Sequence, residues 1–255
     1  MQRSKTGNPT TVGIIPARWA SSRFPGKPLH PIAGKPLLQH VYERCSACAA
    51  LDAVIVATDD DRIAKAATAF GATVAMTRSD HPSGTDRVAE VAQTLPDDAG
   101  ILNIQGDEPL ISPDLIRELA ETLHASDAGL VTAASRITDE AEIADPNIVK
   151  VVLDARGDAL YFSRSPLPYR RNSDVDIPSL RHHGIYGFRQ KALLRFVAAD
   201  PSPLECAEGL EQLRALHIGE TIRVVLTDEN AVGIDTREQA DKLEAMLLST
   251  ATPSN

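Results

Sequence analysis

An α/β architecture, with a mostly parallel sheet covered by helices on both faces, is what the pattern of this chain predicts. Short apolar runs at residues 12–15, Ala53–Thr58 and 100–105 alternate with helix-length segments, and short turns join them. The runs are continuously apolar rather than alternating, the mark of strands buried on both faces. Size agrees. A chain of 255 residues with 43 % hydrophobic content buries roughly 70–75 % of its unfolded surface, enough core to need no staples.

In chain order, residues 12–15 form the first strand. A Gly/Pro-punctuated loop follows, and a helix is expected from near Pro36. Ala53–Thr58 is the second strand. Residues 59–70 are helical, with Asp59, Asp60 and Asp61 favouring the positive end of the dipole and Gly71 as the stop. Thr73–Met76 is a third strand, and Ser83 caps a helix running through Arg87 to Thr94. Residues 100–105 form the next strand. Ser112 as N-cap and Pro113 at the first helical position then begin a helix to about residue 126.

After Gly129 the rhythm changes. Residues 130–137, 149–153 and Ala159–Ser163 are strand-like with little helix between them, and 164–180, rich in Pro, Arg, Asp and Ser, is an excursion. A strand at 184–189 and a helix at 191–198 follow. Pro201-Ser202-Pro203 punctuates the chain before a helix at 205–215 and a strand at Ile222–Leu226. Thr236, with Gln239 three residues on, opens the last helix as a capping box. No repeat or low-complexity segment interrupts this order. The first ten residues are polar and expected to be disordered.

Composition excludes several classes. A net charge of -9 without a long basic stripe argues against nucleic acid as partner. No apolar run is long enough for a membrane span. Three cysteines, few and odd in number, suit a reducing compartment, so a soluble cytoplasmic protein is expected. Cys45-x-x-Cys48 falls inside the expected first helix without a second pair, which favours small structural residues over zinc or redox chemistry. Neither G-x-S-x-G nor G-x-G-x-x-G occurs, and no histidines have H-E-x-x-H spacing.

Against the acidic trend, the loop after the first strand carries Arg18, Arg23, Lys27 and Lys35 with no acidic residue between Thr11 and Gln39. Guanidinium and ammonium donors beside Gly26 suit phosphate oxygens. Pro28 stands where a P-loop needs Ser or Thr, so this is not one. Gln105-Gly106-Asp107-Glu108-Pro109 lies at the carboxyl end of a buried strand, the edge where open α/β sheets bind ligands. Asp107 there, with Asp235 of Gly233-Ile234-Asp235-Thr236, supplies the pair of hard oxygen ligands that Mg²⁺ favours beside substrate phosphates. Each piece also has a plainer reading, as solvated loop, polar turn or helix-dipole partner. Arg87, near a helix start, is ambiguous between an anion site and an ordinary surface arginine.

Taken together, these motifs resemble a known family. Pro16-Ala17-Arg18, Pro25-Gly26-Lys27-Pro28-Leu29, Ser83-Gly84-Thr85-Asp86-Arg87, Asn103-Ile104-Gln105-Gly106-Asp107-Glu108-Pro109, Arg181-His182-His183-Gly184-Ile185-Tyr186-Gly187 and Leu210-Glu211-Gln212-Leu213-Arg214 occur in the order of the 3-deoxy-manno-octulosonate cytidylyltransferases, the CMP-Kdo synthetases of Gram-negative bacteria. Trp19 stands where that family often has tyrosine. The resemblance implies a nucleotide-diphospho-sugar transferase-like (Rossmann-like) mixed sheet. It implies one nucleotidyltransferase domain over residues 11–250, with a strand-rich dimerisation excursion at about 130–200. It implies transfer of CMP from CTP to Kdo for lipopolysaccharide synthesis, with Mg²⁺, in a cytoplasmic homodimer.

By position, Ala17, Arg18, Arg23, Lys27, Ser83, Gly84 and Gln105 match the nucleotide site, and Asp107 and Asp235 the metal ligands. Arg87, Gln105, Arg164, His182, Tyr186, Glu211 and Gln212 match the sugar-acid pocket. Arg18, Lys27, Asp107 and Asp235 are the expected catalytic set. A sialate or 8-amino-Kdo cytidylyltransferase is the same-class alternative. A nucleotide-binding module without catalysis is the other, and it predicts loss of a metal aspartate or the loop lysine; all are present.

Overall fold

The computed structural model describes residues 10–20, 24–172, 174–229 and 233–251. Its first half runs β1 (Thr11–Ala17), a 3-10 turn (Lys27–Leu29), a small ribbon of β2 (Pro31–Ile32) and β3 (Lys35–Pro36), α1 (Leu37–Ser46), β4 (Ala53–Thr58), α2 (Asp61–Ala69), β5 (Thr73–Met76), α3 (Gly84–Ala92), β6 (Gly100–Asn103) and α4 (Pro113–Ala125). The second half comprises β7 (Leu130–Arg136), α5 (Glu140–Ala144), β8 (Lys150–Leu153), β9 (Ala159–Ser163), β10 (Leu180–Arg189), α6 (Gln190–Ala198), α7 (Pro203–Glu208), α8 (Gln212–His217), β11 (Ile222–Leu226) and α9 (Arg237–Ala251).

The strands order as β11-β7-β10-β6-β1-β4-β5. Neighbours from β6 to β5 are parallel, and so are β7 and β11. Within this order only β10 is reversed, antiparallel to both β6 and β7. The sheet is therefore mixed but mostly parallel, as expected. Ile14, Ile101 and Phe188 face α3 and α6 on one side, while Ile15, Leu102 and Val131 face α1, α2 and α4 on the other. This two-sided burial is why the strands read as unbroken apolar runs.

Reversal of β10 in the middle of the sheet demands a close approach. A Cβ on Gly187 would lie 2.5 Å from a Val131 methyl and 2.7 Å from one of Leu102. Gly187→Ala should therefore overpack the core and cost about 1–3 kcal/mol, read as a lower urea midpoint with an unchanged slope. An unaltered midpoint would show that the neighbouring strands can part.

Local signals were accurate where they rest on capping. Ser83 accepts from the backbone of Thr85 and Asp86, and Ser112 from that of Asp114. Gln239 accepts from Thr236 N while Thr236 Oγ1 accepts from Gln239 N, closing the expected box. Elsewhere the structure differs. The helix expected at 205–215 is two helices, because Gly209 adopts the left-handed conformation (φ 62°) and ends α7. Arg214 on α8 then grips Glu205 on α7 through two hydrogen bonds of 2.9 and 2.5 Å.

The strand expected at 184–189 begins at Leu180, since its first part pairs with β8 as well as β7. The β8–β9 hairpin hangs on that part. Helix α5 was not anticipated; five residues carry too little periodicity. Cys48 lies just beyond α1 rather than inside it, and burial pushes the thiols of Cys45 and Cys48 above their ordinary values. Neither suits thiolate chemistry. The expectation for the N-terminal extension falls, apart from Thr10, outside the described residues.

Candidate active site

The carboxyl ends of β1 and β6 meet the N-terminus of α3 around a cavity of about 420 Å³. The loop leaving β1 folds back on itself: Gly26 N donates to Trp19 O, and Gly26 takes φ 73°. A side chain there would press the Trp19 ring at 3.1 Å. Arg62 of α2 stacks over the same indole, 3.5 Å from the ring centroid. This fold-back starts the 3-10 turn at Lys27 and delivers its ammonium to the cavity wall beside Ala17 and Arg18.

Lys27 Nζ lies 2.5 Å from Asp107 Oδ2 and 3.3 Å from Asp235 Oδ1. Asp107 arrives on the turn after β6. Asp235 arrives because Ile234 N donates to the Asp107 carbonyl at 2.8 Å, tying the two loops together. Among the described residues no group of three or more His, Cys, Asp or Glu could hold a metal by itself. Two carboxylates converging on one cationic centre nonetheless fit Mg²⁺. That ion takes one or two protein carboxylates and completes its shell from water and substrate phosphate. The ammonium is the stand-in that shows the convergence.

Ser83, Gly84, Arg87 and Gln105 line the same cavity. The Ser83 hydroxyl is occupied, accepting from two backbone amides and donating to Asp86 Oδ2. Its contribution to a ligand is therefore the geometry of the Gly84 backbone at the helix start. Arg87 is buried and pairs with Asp59 Oδ1 at 3.2 Å, which settles its ambiguity against an ordinary surface arginine. Gln105 donates to Gly184 O, linking the cavity to β10. Arg23 lies outside the described residues.

The residues matched to a sugar-acid pocket are not gathered in this cavity, apart from Arg87 and Gln105. Glu211 accepts from the Thr85 hydroxyl at 2.7 Å and lines a neighbouring cavity that shares Ser83. Tyr186 and His182 are in ring contact (5.4 Å) on β10. Burial pushes the Tyr186 phenol well above its usual value, with nearby Glu211 adding to the effect. Gln212 is buried at the start of α8. Arg164 donates to the carbonyls of Glu208, Pro146 and Gly209, so part of its guanidinium is committed to holding the α7 end. Two of its five N–H groups remain for a carboxylate.

Two residues escaped sequence reasoning. His81 lines the cavity and bonds Glu90 of α3, whose carboxyl is thereby held below its ordinary value. Their nine-residue separation crosses a loop into a helix, which no spacing rule signals. Glu108, next to Asp107, is buried with Oε2 unpartnered. Burial, reinforced by Asp107, pushes its carboxyl up to about 7.

Comparison with known proteins yields consistent findings. Residues 12–222 match the cytidylyltransferase family model. A 3-deoxy-manno-octulosonate cytidylyltransferase of Solibacter usitatus is 49 % identical over 236 residues, covering 92 % of this chain and 93 % of that one. One from Syntrophotalea carbinolica is 49 % identical over 243 residues, covering 92 % and 97 %. A solved CMP:2-keto-3-deoxy-manno-octonic acid synthetase complexed with CTP superposes with a TM-score of 0.90 at 43 % identity, covering 94 % of this chain and 99 % of that one.

Proposed function

We propose that this chain, which belongs to the cytidylyltransferase family, transfers CMP from CTP to the anomeric hydroxyl of 3-deoxy-manno-octulosonate. The products are CMP-Kdo, used in lipopolysaccharide synthesis, and pyrophosphate. The observation that carries the reading is the meeting of Lys27, Asp107 and Asp235 on one cavity wall with Arg18. The sugar oxygen forms a bond to the α-phosphorus, the bond from that phosphorus to the pyrophosphate oxygen breaks, and the hydroxyl proton is lost. Such a displacement asks for alignment and charge neutralisation more than covalent help.

Arg18 and Lys27 bind the triphosphate and offset the charge that grows on pyrophosphate. The Gly84 backbone at the start of α3 and Gln105 hold the nucleotide, and Arg23 and Ala17 complete its loop. Asp107 and Asp235 would hold Mg²⁺, which would supply positive charge against the phosphates and favour deprotonation of the attacking hydroxyl. Arg87, Arg164, His182, Tyr186, Glu211 and Gln212 orient the sugar acid, with a guanidinium suited to its carboxylate.

A pyrophosphate-release assay across nucleotides and sugar acids tests this. CTP with Kdo should exceed sialic acid, 8-amino-Kdo and the other nucleotides. Release with no sugar acid above background, or equal rates with every nucleotide, would overturn it.

The exposed apolar residues of the excursion support a homodimer: Leu160 is 62 % and Tyr169 87 % accessible, and Val175 and Ile177 are also exposed. Leu160→Glu should shift the chain from dimer to monomer in analytical ultracentrifugation, whereas an unchanged mass would place the interface elsewhere. No helix among the described residues is long and apolar enough to cross a membrane. We place the enzyme in the cytoplasm, with its CTP.

A further inference from the structure

Strand β10 is regular except at one point, where its register against β7 shifts between His183 and Tyr186. A bulge of this kind leaves backbone groups outside the ladder. Thr132, from the adjacent β7 and without exposed surface, serves them. Its Oγ1 lies 2.7 Å from Ile185 O and 3.1 Å from His183 O. The same oxygen lies 3.0 Å from Nε2 of His182.

A threonine hydroxyl has one proton, and a carbonyl oxygen can only accept. That proton therefore goes to the bulge carbonyls. The contact with His182 is then a hydrogen bond only if Nε2 supplies the hydrogen. Burial pushes His182 down to about 3, so the ring is neutral and carries a single N–H. With that hydrogen on Nε2, Nδ1 bears the lone pair.

The ring cannot readily turn to exchange its nitrogens. Phe162 packs edge-on against it at 4.9 Å, and Tyr186 flanks it at 5.4 Å. Nδ1 has no protein hydrogen-bond partner among the described residues. His182 is only partly buried and lines a cavity with Glu108, Arg181 and Gly184.

We infer that Thr132 is a positioning residue that holds His182 as the Nε2–H tautomer, so that His182 presents Nδ1 as a hydrogen-bond acceptor to a hydroxyl of the sugar acid. This rests on the proposed place of His182 in the sugar-acid pocket. It adds a rule of selection. An acceptor nitrogen welcomes a hydroxyl and repels a carboxylate, so the substrate's carboxylate must turn toward a guanidinium instead.

Histidine-¹⁵N labelling and long-range ¹H–¹⁵N correlation of the unliganded wild type read the tautomer directly, with no variant needed. A protonated, pyrrole-type Nε2 and a pyridine-type Nδ1 are expected from pH 6 to 8. Hydrogen on Nδ1 would overturn the inference. Thr132→Val should mix the tautomers and raise KM for Kdo about ten-fold, the worth of one neutral hydrogen bond, with KM for CTP unmoved. Thr132→Ser should restore both. Folded Thr132→Val protein with an unchanged tautomer and KM would also overturn it. His182→Asn separates the two layers: an unchanged KM for Kdo would remove His182 from the pocket, while the wild-type spectrum would still stand for the tautomer.

Discussion

Asp235→Asn should lower turnover by about 100-fold or more at physiological Mg²⁺ while leaving the fold intact. The substitution keeps size and hydrogen-bonding shape but removes the charge that a hard cation requires. Stability should change by less than about 1 kcal/mol, because the Asp235 side chain is 45 % exposed and its contact with Lys27 is 3.3 Å. The Ile234–Asp107 backbone tie is untouched by the change. The diagnostic is the Mg²⁺ dependence: the variant should recover part of its rate only at much higher Mg²⁺. Wild-type turnover at low Mg²⁺ would take Asp235 out of the site.

Lys27→Ala should be comparably severe but differently distributed. Loss of a point charge against the leaving pyrophosphate should reduce kcat and weaken CTP, together about 100-fold in kcat/KM for CTP. Kdo binding, measured by titration without nucleotide, should be spared. Lys27 also stands between Asp107 and Asp235. Without its ammonium those carboxylates face each other unbalanced, so the nucleotide-free variant should gain thermal stability on addition of Mg²⁺ more than wild type does. Unchanged CTP kinetics would return the loop to a solvated surface feature.

Much of this was legible in the chain itself, for physical reasons. Short apolar, β-branched runs bounded by turn residues mark strands whether central or at an edge, and Ala53–Thr58, Thr73–Met76, Ala159–Ser163 and Ile222–Leu226 have the expected bounds. Caps are local, so Ser83, Ser112 and Thr236 marked helix starts correctly. Where the outcome depended on a partner on another element, residue type alone fell silent. Nothing around Arg164 in the sequence shows that three backbone carbonyls take part of its guanidinium. His81 gave no signal because Glu90, its partner, lies on a separate element.

By itself, then, the sequence determined most of the order of strands and helices, though not the β2–β3 ribbon or α5, and the basic loop after β1. These follow from periodicity, capping and side-chain chemistry, all carried within a few residues. Only the tertiary structure decided that Lys27 meets an aspartate 80 residues away and another 208 residues away, and that Thr132 meets the ring of His182. Such contacts depend on which strands become neighbours in the sheet. A reversed β10 between β6 and β7 is a property of the whole core, not of any one segment.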